Sequence, residues 1–327
     1  MSRTACVGVL LGGTSPEREV SLASGSAVSQ ALVEEGWSVR TYDYGAPGEE
    51  EYGSLAARLL RALQEGPLHE AAVVFIALHG GAGEDGRIQS LLELAEVPYV
   101  GTGPLGSAVG MDKWVTKTIV RREGIPVPGG RLWQAGSPTP PELMRTWGRE
   151  LGWPLVIKPV DGGSTVGFSL AEHPEEVPAA LAEAARYSPR VLVEEYIAGR
   201  EVTVALVGQQ ALPVIEIIPS HGVYDYECKY TAGLSRYVCP ADLPEATAAT
   251  LCEHARAAFG ALQHRDLSRM DFRLASDGTG YLLEGNTLPG FTSTSLVPKA
   301  AAAVGTGFGP LCSRLVEMAL QRAGYVP

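Results

Sequence analysis

Residues Ala71-Ala72-Val73-Val74-Phe75-Ile76-Ala77-Leu78 form an uninterrupted apolar run that ends in His79-Gly80-Gly81. A run without polar alternation suits a parallel strand covered on both faces. Upstream, residues 5–11 are composed as a buried strand, and Gly12-Gly13-Thr14-Ser15-Pro16-Glu17 forms a turn. A helix follows from about Glu19, with Leu22, Val28 and Leu32 at roughly helical spacing and Gly36 closing it. Val39 to Tyr44 reads as a second strand and Leu55 to Leu63 as a second helix. This alternation predicts an open parallel α/β sheet over residues 1–100. Ligands of such sheets sit at the strand C-termini, where Gly12-Gly13 and His79-Gly80-Gly81 both fall. His79 itself reads better as an oriented hydrogen-bond hub than as an acid–base catalyst.

The chain has 327 residues, too many for one typical core, so two or three domains are expected. With 45% apolar and 19% charged residues it has the make-up of an ordinary soluble protein, and no segment reaches the apolar length of a membrane span. The N-terminal apolar run is short and reads as a first strand, not a signal peptide. Five cysteines without CxxC spacing argue against a disulfide framework and a zinc site, so a cytoplasmic location is expected. A net charge of −11 disfavours nucleic acid as a partner. An acidic protein with a phosphate-bearing ligand must place positive charge locally. The chain has only five lysines (113, 117, 158, 229 and 299), each worth separate attention.

Beyond residue 100 the pattern predicts a helix from Pro104 to Gly124 and a loop-rich stretch at 125–150 with five prolines. A strand at Trp153–Pro159 carries Lys158, and a glycine-rich loop, Asp161-Gly162-Gly163-Ser164-Thr165-Val166-Gly167, comes next. Helix 175–186 and strand 191–195 complete that unit. Then come strands at 202–207 and 211–218, a polar aromatic loop at 220–237, helix 244–261, a hairpin, and a last helix at 309–323. There is no internal repeat and no low-complexity tract.

Four constellations carry chemistry. Arg269-Met270-Asp271 precedes Glu284-Gly285-Asn286 across a Ser276-Asp277-Gly278 turn. In a hairpin Arg269 and Asp271 share a face, as do Glu284 and Asn286. Three hard oxygen ligands beside an arginine suit Mg2+ carrying nucleotide phosphates; a surface hairpin with polar ends fits the same pattern. Lys158 before its glycine-rich loop suggests a nest of backbone N–H groups for phosphate with a point charge beside it. A plain flexible turn is the competing reading, and no Walker A sequence is present. Glu194 and Glu201 bracket a segment, with Tyr196-Ile197, that could offer backbone groups to adenine and a carboxylate to ribose; a strand with a solvated end is the plainer reading. Tyr224-Asp225-Tyr226-Glu227-Cys228-Lys229-Tyr230 suits a flap that closes on ligand, or an aromatic loop packed on its own domain.

Taken in order, these residues resemble the D-alanine–D-alanine ligases of the ATP-grasp superfamily. The resemblance covers nearly the whole chain. It rests on Leu11-Gly12-Gly13-Thr14-Ser15-Pro16-Glu17-Arg18-Glu19-Val20-Ser21, the His79 to Gly86 segment, Met111-Asp112-Lys113, Lys158-Pro159, Gly163 to Gly167, Tyr224 to Tyr230, Arg269 to Phe272, and Leu283 to Ser295. It implies an N-terminal α/β substrate-binding domain at 1–100 and a two-part ATP-grasp fold, with subdomains at 101–193 and 194–327. It also implies phosphorylation of one D-alanine by ATP, displacement of phosphate by the amine of a second, and two Mg2+ or Mn2+ ions. By the same resemblance, Glu17 would hold the first substrate's ammonium, and Ser164 and Tyr230 would complete a hydrogen-bond triad with it. Lys113, Lys158 and Lys229 would neutralise phosphates. Glu194, Tyr196, Ile197 and Glu201 would bind the nucleoside. Asp271, Glu284 and Asn286 would hold the metals, Glu284 also facing the nucleotide. Arg269 and the Gly290 N–H would form an oxyanion hole, and Ser295 would bind the second substrate's carboxylate. A homodimer is expected.

Cys228 and Gly285 depart from the usual pattern, and Gly285 is expected to loosen its strand and weaken metal affinity. The nearest alternative is another ATP-grasp ligase, such as a D-alanine–D-lactate ligase. Those enzymes carry histidine in place of the flap tyrosine, so Tyr230 favours an amine nucleophile. A non-catalytic ATP-binding regulator is expected to have lost metal ligands or the oxyanion arginine. A dehydrogenase is disfavoured because Gly-Gly-Thr-Ser-Pro lacks the G-x-G-x-x-G spacing.

Overall fold

The computed structural model describes residues 5–46, 48, 53–220 and 234–325. Its first sheet has the order β2-β1-β3-β4, formed by β1 (Cys6–Gly12), β2 (Ser38–Tyr44), β3 (Ala71–Ile76) and β4 (Tyr99–Val100). Every pairing in it is parallel. Helices α1 (Arg18–Glu34), α2 (Leu55–Gln64) and α3 (Arg87–Leu94) make the connections. The apolar run at 71–78 is therefore covered on both sides, as its composition requires. One face packs Leu10, Val74 and Ile76 on α2 and α3. The other packs Val7, Val9 and Phe75 with Val28 and Leu32 of α1.

The predicted single helix at 104–124 is two, α4 (Pro104–Met111) and α5 (Lys113–Arg122). Asp112 separates them. Its backbone is extended, and its carboxylate accepts from Val115 N at 2.9 Å, capping α5. Residues 125–150 are more regular than their prolines suggest. They contain β5 (Gly130–Gln134) and α6 (Pro141–Leu151). Pro141 starts α6, where proline's fixed φ is compatible with helix and no N–H is needed. With β6 (Leu155–Pro159), β7 (Ser169–Ala171) and β8 (Arg190–Glu195), β5 forms an antiparallel sheet of order β5-β8-β6-β7. Helices α6 and α7 (Val177–Ala185) cover one face through Met144, Trp147, Val177 and Leu181.

The third sheet has the order β12-β11-β9-β13-β14, with β10 paired to β9. Its members are β9 (Arg200–Val207), β10 (Gln210–Ala211), β11 (Ile215–Pro219), β12 (Ser235–Val238), β13 (Leu267–Leu274) and β14 (Gly280–Asn286). Helix α8 (Glu245–Ala261) packs on one face, joined by Val120 from α5. Helices α9 (Leu296–Ala302), which the sequence pattern missed, and α10 (Phe308–Arg322) pack on the other. α10 also covers the first sheet, so Val7 and Phe75 share a core with Val207 and Leu315. Helix α10 thereby joins the first and third sheets. Among the described residues, no helix is long and apolar enough to cross a membrane.

Candidate active site

The β13–β14 hairpin sets the first half of the site. Its register pairs Arg269 with Asn286 and Asp271 with Glu284, and a bulge follows Asp271. Asp271 accepts two bonds from Arg269, at 2.8 and 2.7 Å. It also accepts from Thr203 Oγ1 at 2.6 Å and from Asn286 Nδ2 at 2.9 Å. Glu284 faces the Lys113 ammonium at 3.4 Å. Among the described residues no three His, Cys, Asp or Glu side chains cluster as a metal site. The oxygen set is two carboxylates and a carboxamide, which fits a hard cation that keeps water or phosphate ligands.

The second half comes from the central sheet and α5. Lys113, the first residue of α5, donates to Gly162 O at 2.6 Å, which pins the glycine-rich loop to the helix. In that loop Ser164 and Thr165 both have left-handed backbone conformations (φ 52° and 62°). Such conformations in non-glycine residues cost free energy and cluster at functional loops. Ser164 Oγ donates to Glu17 Oε1, so the loop reaches across to the first sheet. Lys158 pairs with Glu194 at 2.9 Å. Burial works against the Lys158 ammonium, but the charge and hydrogen bond of Glu194, helped by Glu284, outweigh it and hold its pKa above the ordinary lysine value.

Glu17 is the residue that precedes α1, at the end of the turn from β1. Ser15 Oγ, which accepts from Glu17 N at 3.1 Å, donates to His79 O at 2.6 Å, tying the two strand-end loops together. Gly80 has φ 68°, and a Cβ there would stand 2.6 Å from Glu17 Oε2. The left-handed backbone suits glycine, and a larger residue would have to displace that carboxylate. His79 is a buried hub: Nε2 lies 2.9 Å from Ser24 Oγ and Nδ1 lies 3.1 Å from Leu288 O. It carries the first sheet onto the loop that holds Gly290. There Ser295 Oγ accepts from Thr292 N at 3.0 Å, and a Cβ on Gly290 would be 3.6 Å from that oxygen.

A cleft of about 1050 Å3, its open mouth included, is lined by Lys113, Lys158, Ser164, Glu194, Tyr196, Ile197, Glu201, Asp271 and Glu284, all singled out from the sequence. Glu17, Arg269 and Asn286 are outside its lining but bond directly to residues in it. Lys229 and Tyr230 lie outside the described residues, as does most of the predicted flap.

Two contributors were given no role by the sequence reading. Arg273, two residues past Asp271 and so on the same strand face, also lines the cleft. It bonds Ile197 O at 3.1 Å and Tyr196 OH at 3.0 Å, and lies 3.5 Å from Glu201. Lys117 is one helical turn beyond Lys113 and only 3% exposed, its ammonium on Glu194. Gly285 is closely surrounded: a Cβ there would meet Met270 Sδ at 3.0 Å and His264 Cε1 at 3.1 Å.

Two antiparallel sheets closing on a lysine-lined cleft, with an acidic hairpin at its floor, define the ATP-grasp class of fold. Residues 6–102 match the family model described as the D-ala D-ala ligase N-terminus, and residues 119–317 match that of the C-terminus. The D-alanine–D-alanine ligase of Syntrophotalea carbinolica is 43% identical over 316 residues, covering 97% of this chain and 96% of that one. The ligase of Anaeromyxobacter sp. strain K is 44% identical over 320 residues, with 97% of each chain covered. The crystal structure of the Bacillus anthracis ligase complexed with ATP superposes with a TM-score of 0.82 at 26% identity, covering 98% of this chain and 99% of that one. The VanG D-Ala:D-Ser ligase of Enterococcus faecalis gives 0.82 at 30% identity, covering 97% and 99%. The chain belongs to the D-alanine–D-alanine ligase family.

Proposed function

We propose that the chain joins two D-alanines with ATP, passing through an acyl phosphate, to supply the dipeptide for peptidoglycan. The observation that carries this reading is the convergence of Lys113, Lys158, Ser164, Asp271 and Glu284 on one cleft, with Glu17 bonded to Ser164 at its edge. Phosphoryl transfer depends mostly on positioning and on charge stabilisation. Lys113 and Lys158 would neutralise the nucleotide phosphates, with Lys229 on the transferring group. The backbone at Glu194 to Ile197 would face the base, while Glu201, anchored by Arg273, would take the ribose hydroxyls.

Asp271, Glu284 and Asn286 would hold two Mg2+ or Mn2+ ions, which when bound would neutralise charge on the phosphates. Asp271 is already satisfied by Arg269, Thr203 and Asn286. Arg269, Thr203 and Asn286 thus keep the Asp271 carboxylate neutralised and oriented, as a residue that would hold a metal requires. Glu17, with Ser164 and Tyr230, would orient the first D-alanine by its ammonium. Arg269 and the Gly290 N–H would stabilise the oxyanion, and Ser295 would bind the second carboxylate. The domain division at 100 and 193, a homodimer and a cytoplasmic location go with this reading.

The test is phosphate release with ATP and Mg2+, comparing D-alanine, L-alanine and D-lactate. Release with D-alanine alone, with dipeptide formed, is the expected result. Equal release with D-lactate, or none dependent on D-alanine, overturns it.

A further inference from the structure

Glu194 is 2% exposed and each of its oxygens meets a different lysine, Lys117 on Oε1 and Lys158 on Oε2. Of the two lysines, only Lys158 lines the cleft. Lys117 lies behind, on the α5 turn that follows Lys113. Its helix is bolted to the central sheet a second time, where Asp112 pairs with Arg190 of β8. With both lysines protonated, two ammoniums and one carboxylate leave the trio with one net positive charge, and of the two lysines only Lys158 presents it to a ligand.

We propose that Lys117 is a positioning residue for the nucleotide: it takes half of the Glu194 carboxylate, so that Lys158 keeps its charge and its free N–H groups for phosphate oxygens. The inference rests on the ATP-dependent reading above. Without Lys117, Glu194 and Lys158 would form a closed, neutral pair, in a protein that already carries a net charge of −11. Charge effects of this kind are strong where solvent is excluded. The buried environment works against both charges of the Lys117–Glu194 pair. Burial lowers the Lys117 pKa to about 7, with Glu194 opposing only in part and Lys158 and Lys113 repelling. Burial also works against the Glu194 carboxylate, but the two lysines outweigh it and keep it ionised. Of the two lysines, burial disfavours the charge on Lys117, while the contact with Glu194 favours the charge on Lys158.

Lys117→Met keeps the stem and removes the charge. Titration calorimetry with Mg2+ and a non-hydrolysable ATP analogue, without D-alanine, should show binding weakened about tenfold or more. The KM for ATP should rise in parallel, and that for D-alanine should stay within about twofold. Lys117→Arg keeps a cation on Glu194 and should retain most of the analogue affinity, whereas Lys117→Gln, which keeps a donor without the charge, should bind as weakly as Lys117→Met. A purely structural lysine predicts that affinity follows the melting temperatures of the variants and not their charge. Unchanged affinity in Lys117→Met, or a Lys117→Arg variant that binds no better than Lys117→Met, overturns the proposal. Should Lys117→Met not fold, Lys117→Arg and Lys117→Gln decide: tighter binding by the arginine variant upholds the proposal, and equal binding by the two overturns it. Because the assay contains no D-alanine, failure of the ligase reading would show separately, as wild-type protein that releases no D-alanine-dependent phosphate.

Discussion

The Glu284 carboxylate stands 3.4 Å from the Lys113 ammonium, joining the acidic hairpin to the helix that bears a phosphate-neutralising lysine. The two residues come from separate motifs, and the cleft exists where they meet. Because Glu284 is partly solvated and at the strand end, its loss should spare the fold. Glu284→Gln should lower turnover by about a hundredfold or more at saturating Mg2+, with a melting temperature close to wild type. Near-normal phosphate release at low millimolar Mg2+ would rule out its role.

Ser164 reaches Glu17 across the cleft. Ser164→Ala removes a charge-assisted bond and should cost about 1.5–3 kcal/mol in binding of the first substrate. Steady-state kinetics should show a raised KM for the first D-alanine with little change in the KM for ATP. A variant in which only the KM for ATP moves would place Ser164 on the nucleotide alone.

Gly285 sits against Met270 and His264. Gly285→Val overpacks that layer, for which about 1–3 kcal/mol of destabilisation is expected. It should also raise the Mg2+ concentration needed for half-maximal rate, since residues 284 and 286 move with it. Thermal melts and a Mg2+ titration check both. An unchanged melting temperature would mean that the strand relaxes freely.

His264 is buried, with Nδ1 2.8 Å from Ser268 Oγ, and Ser268 Oγ donates to Asn286 O at 3.1 Å. The serine proton is thus used, so Nδ1 carries the imidazole proton. Burial lowers the His264 pKa to about 4. The unfolded chain therefore binds a proton below about pH 6.5 that the folded chain refuses until about pH 4. Stability should fall through that window as pH falls, by on the order of 3 kcal/mol from this residue. In His264→Asn, whose amide can donate to Ser268, the loss between pH 6.5 and 4.5 should be visibly smaller. Parallel denaturant curves at the two pH values measure it. Identical pH slopes in both proteins would remove His264 from the account.

Much of this molecule is legible along the chain. The apolar run at 71–78 dictates a parallel strand, because a strand buried on both faces has no polar alternation. The spacing of Arg269, Asp271, Glu284 and Asn286 places them on a hairpin, because side chains two apart share a strand face. The ordered motifs carry the family. Local errors came where one residue overrules a pattern: Asp112 caps α5 and so divides a predicted helix, and Pro141 opens α6 where prolines suggested loop.

What the tertiary structure alone decides is which distant groups satisfy one another. Lys117 and Glu194 are 77 residues apart, and His79 and Leu288 are 209 apart. Nothing in either local segment specifies its partner. Burial does: a charge or imidazole removed from water must find a matched group among whatever the packing of sheets brings near. Gly285 follows the same logic. Along the chain it is a missing side chain between two ligands, and in the fold it is the space that Met270 and His264 fill.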